Sequence, residues 1–415
     1  MTLILSNDDV EKLLTMRDCI AVMEEAYAEL AEGRGVSRTR SDCFTPTVRA
    51  DALYSLKSMD GVAPKLGVGA VRINSDIVTW PKRGNNMRRE KVPAAPNGRY
   101  VGLVLLFSVE NGEPLAIVPD GVMQRMRVGA ANGLAAKYLA RKDASTVGIL
   151  GSGWQAGAQL MAACAVRDIA LIRCYSPNAQ NRETFVATMQ ALLGVDVVPV
   201  AHPEEAIKGA DIAVCASNSI DHIFFEHWIE PGMHISSIKR PEIEVKADKR
   251  ADRVLIHWHD PAPIHVAAKD VVIEERVKGR GWQLADDIDF KTLPTLPELV
   301  VGRIDGRKSD AEVTCFINNI GLGYQFAAVG SGGLPQGEGN RLRPRGADRL
   351  VHRGRASVAR CVPGTAQHEV VRCRPGTVPM RGGPGSAAHR FALHRIRDMR
   401  AADEPRYIGW ELTFS

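Results

Sequence analysis

The sequence predicts an α/β chain in which a doubly wound parallel sheet is joined to an α+β domain and followed by a poorly ordered tail. Three observations carry that expectation. A β-branched run breaks into closely spaced glycines and then into an Ala-rich helical stretch, Val147 to Ala156. Short apolar runs recur downstream at regular intervals, and the composition changes abruptly after Gly330.

From the N-terminus, Met1 to about Gly33 reads as two helices: Ser6 stands ahead of an acidic first turn, and Thr15 ahead of Met-Arg-Asp and a long amphipathic run. The chain then becomes strand-like. Val101 to Glu110, the Asn111-Gly112 turn and the apolar run ending at Val118 predict a β-hairpin. This α+β half spans residues 1–128, is completed by about 305–330, and suits binding or dimerisation. A helix from about Gly121 to Leu139 follows, with Arg125 and Arg127 in its first turns and Ala130, Ala131, Leu134 and Ala135 on a small apolar face.

In Val147-Gly-Ile-Leu-Gly-Ser-Gly-Trp-Gln-Ala156, Gly151 suits a tight turn and Gly153 lets a backbone approach a pyrophosphate. The helix opening near Trp154 aims its free N–H groups at the phosphates. Gly151, Ser152, Gly153, Trp154, Gln155 and Ala156 therefore form the candidate dinucleotide turn, spaced G-x-G-x-x-A. Apolar runs at Leu171–Tyr175, Val195–Val200, Ala210–Ser217, Gly232–Ile238 and Ala251–Trp258 alternate with helical or turn-like segments. That pattern indicates a sheet buried on both faces, hence a Rossmann domain within residues 129–304. The second strand ends Cys174-Tyr-Ser-Pro-Asn-Ala-Gln-Asn-Arg182 with no carboxylate before Glu183. Ser176, Asn178 and Arg182 suit a 2′-phosphate, so NADP(H) is favoured over NAD(H), although mixed use also fits. Ser217 and Asn218, closing another strand, stand where the nicotinamide side would be contacted, or else cap the next turn.

The order of several segments resembles the ornithine cyclodeaminase and mu-crystallin family: Gly35-Val-Ser-Arg-Thr-Arg40, Val71-Arg-Ile-Asn74, the Asn111-Gly112 hairpin, Arg127 to Leu139, and Ile149 to Ala156. Glu230 to Ile235 and Phe316-Ile-Asn-Asn-Ile-Gly321 continue it. The resemblance covers about Met1 to Gly330. It implies a homodimer with an amino or imino acid site between a dimerisation domain and the Rossmann domain, and NAD(P)-linked chemistry at a Cα–N bond. It further implies a carboxylate clamp at Arg40, Arg72 and Arg127, which suits planar guanidinium groups.

Departures from the family pattern bear on the reaction. Arg72 stands where relatives carry lysine, trading a titratable amine for a fixed clamp, and Lys65 lies close enough in sequence to supply the amine instead. Val128 replaces a common Thr, and the amide of Gln124 is adjacent. Where cyclodeaminases of this family place an aspartate for a distal amine, this chain reads Lys239-Arg-Pro-Glu-Ile-Glu244. Either Glu242 partly replaces that acid, or Lys239 and Arg240 recognise an acidic substrate tail, or the segment is a solvated charge cluster.

His257 and His259 lack a third ligand at diagnostic spacing, so no metal is expected. The Cys residues at 19, 43, 164, 174, 215 and 315 form no C-x-x-C pair and read as reduced thiols. Asp286, Asp287 and Asp289 read as loop or cap material. Residues 331–415 hold 15 Arg, no Lys and 7 acidic residues, so the overall charge of +5 belongs to this tail and the body is acidic. The tail fits an out-of-frame reading of a GC-rich gene better than an Arg-rich arm for nucleic acid. No targeting segment or apolar run long enough to span a bilayer is present, so a cytoplasmic enzyme is expected. Three readings follow: an imine reductase or amino-acid dehydrogenase, favoured; a cyclodeaminase-type lyase; and a dinucleotide-binding protein without catalysis.

Overall fold

The computed structural model describes residues 2–83, 86–92, 102–219, 221–239, 242–259, 263–269, 271 and 289–333. The expectations for Arg240, Asp286, Asp287 and the tail beyond 333 lie outside these residues.

The first half opens with β1 (Leu3–Ile4), α1 (Asn7–Leu13) and α2 (Met16–Ala31). Ser6 caps α1 by accepting the Asp9 N–H, while the Asp9 carboxylate reaches back to the Ser6 N–H, and Thr15 caps α2 on Asp18. There follow β2 (Val36–Ser37), β3 (Ser41–Pro46), β4 (Ala52–Ala63), β5 (Val68–Thr79), the small pair β6 (Lys82–Arg83) and β7 (Asn86–Met87), and β8 (Glu90–Val92). β9 (Gly102–Ser108) and β10 (Pro114–Pro119) form the expected hairpin, with Gly112 at φ +77°. The long helix α3 (Asp120–Leu139) is buried nearly all round.

The second half brings β11 (Thr146–Leu150), α4 (Trp154–Val166), β12 (Leu171–Tyr175), α5 (Ala179–Leu193), β13 (Asp196–Pro199), α6 (Pro203–Ile207), β14 (Ile212–Cys215) and β15 (His234–Ser237). It continues with α7 (Val245–Arg250), β16 (Arg253–Ile256), β17 (Ile264–Ala267), α8 (Leu296–Val300), β18 (Thr314–Ile317) and α9 (Tyr324–Gly333).

Two sheets organise these elements. Among the described residues, seven strands form one sheet in the order β13-β12-β11-β14-β15-β18-β16, with every neighbour parallel. Strand order reverses between β11 and β14, which opens a crevice at their carboxyl ends. One face packs on α4 and α5 through Val147, Ile149, Ile172 and Val214; the other packs on α6, α7 and the Phe224–Trp228 segment through Leu150, Ala213, Ile235 and Ile317. The mixed sheet runs β1-β10-β9-β5-β4-β3-β17, with β2 beside β4 and β8 beside β5.

Residues 305–330 serve both sheets and do not simply complete the first. β18 inserts between β15 and β16, while α9 packs under the mixed sheet through Tyr324 and Phe326. Likewise β17, from the second half, extends the mixed sheet alongside β3. α3 joins the two, packing on α2 and α9 at one side and on α4 at the other.

Alternation along β4 and β5 sorts their side chains. The inner face carries Lys57, Met59 and Ala63 on β4, and Val68, Ala70, Arg72 and Asp76 on β5. The outer face presents Leu56, Val62, Ile73 and, on β9, Leu103, all at least one-third exposed.

Candidate functional site

At the crevice, β11 ends in Gly151, whose φ of +136° is strained for any other residue and whose absent Cβ leaves room for the Ala216 carbonyl at the end of β14. Gly151 donates to the Tyr175 carbonyl, tying the turn to β12. Gly153 is the N-cap of α4 and offers no side chain to its first-turn amides, and the space a Cβ would take there is open. Ser152 and Gln155 are half-buried, Trp154 is exposed and Ala156 is buried. Turn, open backbone and free amides together fit a dinucleotide pyrophosphate.

The other expected coenzyme contacts have local partners. Asn178 caps α5 by accepting the Asn181 N–H, and Arg182 donates to the Ser176 carbonyl at 2.6 Å with its guanidinium over Tyr175. They hold the end of β12 in shape, and no acid from that strand intervenes. Ser217 donates through both N–H and O–H to Glu242, while Asn218 is exposed.

The polar end of the mixed sheet gathers the expected arginines. Arg72 donates through Nε and Nη2 to Asp120 Oδ2 at 2.9 and 2.6 Å. Arg72 and Arg127 both face the Phe326 ring, their Cζ atoms 5.5 and 5.2 Å from its centroid. Arg40, immediately before β3, pairs with Asp42 at 2.9 Å, and its charge and that of Arg72 both act on Arg127. The three expected clamp residues are thus brought to one corner.

Arg127 differs from its neighbours in its counter-charge. Only 6% of it is exposed, Nη1 donates to Gln325 Oε1 at 3.0 Å, and Nε has no partner. Among the described residues no carboxylate pairs with it. Burial, and after it the Arg72 charge, bring its pKa down to about 9, which leaves it cationic at neutral pH. A hydrogen-bonded chain positions it: Gln325 Nε2 donates to Tyr27 Oη at 3.0 Å, and Tyr27 lies 2.6 Å from His257 Nε2. His257 Nδ1 bonds the Ile320 carbonyl, so Nδ1 carries the proton and Tyr27 donates to Nε2. Burial lowers the His257 pKa to about 4 and keeps the ring neutral.

Two expectations are corrected here. Lys65 sits at the far end of the β4–β5 hairpin, half-exposed, with Nζ on Glu25 at 2.8 Å. Its reach goes to α2, away from the arginines. Glu242 is fully buried with its carboxylate turned inward: Oε1 accepts from Ser217, and Oε2 from the Ile238 N–H at 3.2 Å. It fastens two loops, and its burial keeps it from solvent. Lys239 is likewise occupied, donating to the Ser219 carbonyl.

One residue was missed. Lys57, 5% exposed, lies on the same inner face two ladder rows from Arg72 and donates to Asp76 at 2.8 Å, a carboxylate it shares with Lys91. Burial first, and the Arg89 charge second, pull its pKa to about 7. Among these residues it is Lys57, not Lys65, that places a buried amine of lowered pKa on the face that carries Arg72. Its signal was available in the alternation of Ser55, Lys57 and Met59, which marks a lysine on a buried face.

Among the described residues no group of His, Cys, Asp and Glu could hold a metal ion, and no helix is long and apolar enough to cross a membrane.

Comparison with known proteins places the chain among relatives of the same fold. The chain is 27% identical over 325 residues to a Δ1-pyrroline-2-carboxylate reductase of Bacillus cereus, covering 77% of this chain and 92% of that one. Its fold is similar to that of the Thermococcus litoralis Δ1-pyrroline-2-carboxylate reductase in complex with NADH and L-proline. There the TM-score is 0.64 and the identity 25%, over 86% of this chain and 98% of that one. An archaeal alanine dehydrogenase dimer with bound NAD matches with a TM-score of 0.63 at 26% identity, over 86% and 97% of the two chains. The family model for ornithine cyclodeaminase/mu-crystallin proteins matches residues 1–328. The chain belongs to the ornithine cyclodeaminase/mu-crystallin family.

Proposed function

We propose that this enzyme is an NAD(P)(H)-dependent imine reductase or amino-acid dehydrogenase acting at the Cα–N bond of an amino or imino acid. The observation that carries the reading is Arg127, a buried guanidinium with no acid of its own, which shares the Phe326 ring with Arg72. An uncompensated buried cation calls for an anion, and a planar fork suits a carboxylate.

In this reading Arg127 receives the substrate carboxylate, Arg72 and Arg40 flank it, and the Gln325–Tyr27–His257 chain fixes the angle of the fork. Lys57 holds the proton that the substrate nitrogen takes up on reduction and draws on Asp76 to stay oriented. A nicotinamide bound at the crevice supplies the hydride to Cα. A cyclodeaminase would also need a carboxylate for a distal amine. Here Asp42, Asp76 and Asp120 are already bound by cations, and Glu242 by backbone and hydroxyl donors, which favours net redox chemistry over ammonia-releasing cyclisation.

The finer assignments follow the same logic. The acid-free end of β12 favours NADP(H), with NAD(H) also accepted, as the NAD-bound relatives suggest. The apolar outer face at Leu56, Val62, Ile73 and Leu103 suits a homodimer, the form of the archaeal alanine dehydrogenase. We read residues 1–128 with α9 as the substrate and dimerisation part, the parallel sheet as the coenzyme part, and the protein as cytoplasmic.

The test is a panel of basic, acidic and cyclic amino and imino acids followed by nicotinamide absorbance and by ammonia release. Consumption of reduced coenzyme by an imino acid, with amino acid formed in equal amount, is expected. Ammonia release from a basic amino acid without absorbance change would overturn the assignment.

A further inference from the structure

The polar groups used so far do not include Arg125, which is 8% exposed and lies on α3 one half-turn from Arg127. Its guanidinium does not face the substrate corner. Cζ stacks 4.1 Å over the ring of Trp154, the first residue of α4, and Nη2 stands 2.5 Å from where a Cβ on Gly157 would be. Glycine at 157 is what lets the fork lie against the first turn of α4. Nε is buried without a partner, and among the described residues no carboxylate or carbonyl receives any of the guanidinium protons.

That placement is electrostatically unfavourable as it stands. The first turn of a helix carries partial positive charge, and a cation beside it is repelled. No side chain caps Gly153 to offset this. Burial holds Arg125 below the ordinary arginine range, and Glu11, the acid that counters this, makes no ion pair with it. A buried guanidinium, free first-turn amides and an open glycine backbone converge on one place and lack only an anion.

We infer that Arg125, stacked on Trp154, is a phosphate-binding residue that clamps the pyrophosphate of the dinucleotide from the α3 side. This rests on the reading of a nicotinamide coenzyme at the Gly151–Gly153 turn. The pyrophosphate is favoured over the 2′-phosphate because Arg125 meets the start of α4, whereas a 2′-phosphate belongs at the end of β12 near Ser176 and Arg182.

The experiment compares the full-length wild type with Arg125→Met, Arg125→Lys and Trp154→Leu, titrating NADH and NADPH by fluorescence and melting each apo protein. Arg125→Met is expected to weaken both coenzymes by the same factor, roughly ten- to a hundredfold, as for loss of a charged hydrogen bond. Its apo form should melt at or above wild type because a repelled cation has gone. Arg125→Lys should recover part of the affinity, and Trp154→Leu should lose less than Arg125→Met. Unchanged affinity in Arg125→Met, or a loss confined to NADPH, overturns the inference. Should Arg125→Met fail to fold, wild-type affinity in Arg125→Lys together with a coenzyme affinity indifferent to salt overturns it equally. Wild type that binds neither coenzyme would instead defeat the coenzyme reading itself.

Discussion

The inner face of β4 and β5 is one continuous ladder, yet its two ends obey different rules. Toward the hairpin end, Ala63, Val68 and Ala70, with Leu106 on β9, pack against α2, α3 and α9. Toward the other end, Lys57, Arg72 and Asp76 occupy the equivalent inward positions. Burial is similar throughout, so desolvation penalises the second set and rewards the first. Most charges at the polar end are offset by close partners, Arg72 by Asp120 and Lys57 by Asp76; Arg127 is not. A side chain in so costly a state is what the proposed reading expects where a bound anion supplies the missing counter-charge.

This contrast can be broken at three points. The largest effect is expected at the unpaired charge: Arg127→Met should lower kcat/KM about a thousandfold, roughly 4 kcal/mol, while the apo melting temperature holds or rises. Arg72→Met should lower both, since it strands the Asp120 carboxylate. A melting temperature that falls as far for Arg127→Met as for Arg72→Met would make the two arginines equally structural. Next in size is Leu106→Ala at the apolar end, where loss of a fully buried side chain should cost about 3 kcal/mol in denaturant unfolding. Steady-state constants of the folded fraction should stay at wild-type values, and a changed KM would mean that the two ends are coupled.

The smallest effect, and the most specific, concerns Lys57. With its pKa lowered to about 7, the ammonium form that donates a proton is present below that pH and lost above it. kcat/KM for imine reduction should therefore fall as pH rises through about 7. Lys57→Met should be slower by roughly a hundredfold and show no such limb. Persistence of the limb in Lys57→Met would assign the proton to another group.

The coenzyme crevice was legible because its signals are local. A strand, two glycines and a helix start follow one another in the chain, and each constrains the backbone by itself. The proposed clamp residues could be named only through the ordered resemblance, since Arg40, Arg72 and Arg127 come from segments far apart in sequence. What failed was direction. Nothing near Glu242 in the chain says that its carboxylate turns toward Ser217 and Ile238, and nothing near Lys65 says that it reaches Glu25. β18 was missed for a related reason: its partners β15 and β16 lie well upstream, so neither neighbour could be inferred from adjacency.

α3 carries a consequence beyond packing. Arg127 approaches the substrate corner from one part of this helix. Asn132, five residues on, holds Ser236 at 2.7 Å and the Ser237 carbonyl at 3.2 Å on β15, and receives Asn318 from β18 at 2.7 Å. The two anchors are about 7.5 Å apart along a rod of fixed rise. The helix therefore works as a gauge block, setting the span from the Arg127 guanidinium to the strands of the parallel sheet. A single residue inserted between them would swing the guanidinium by about 100°.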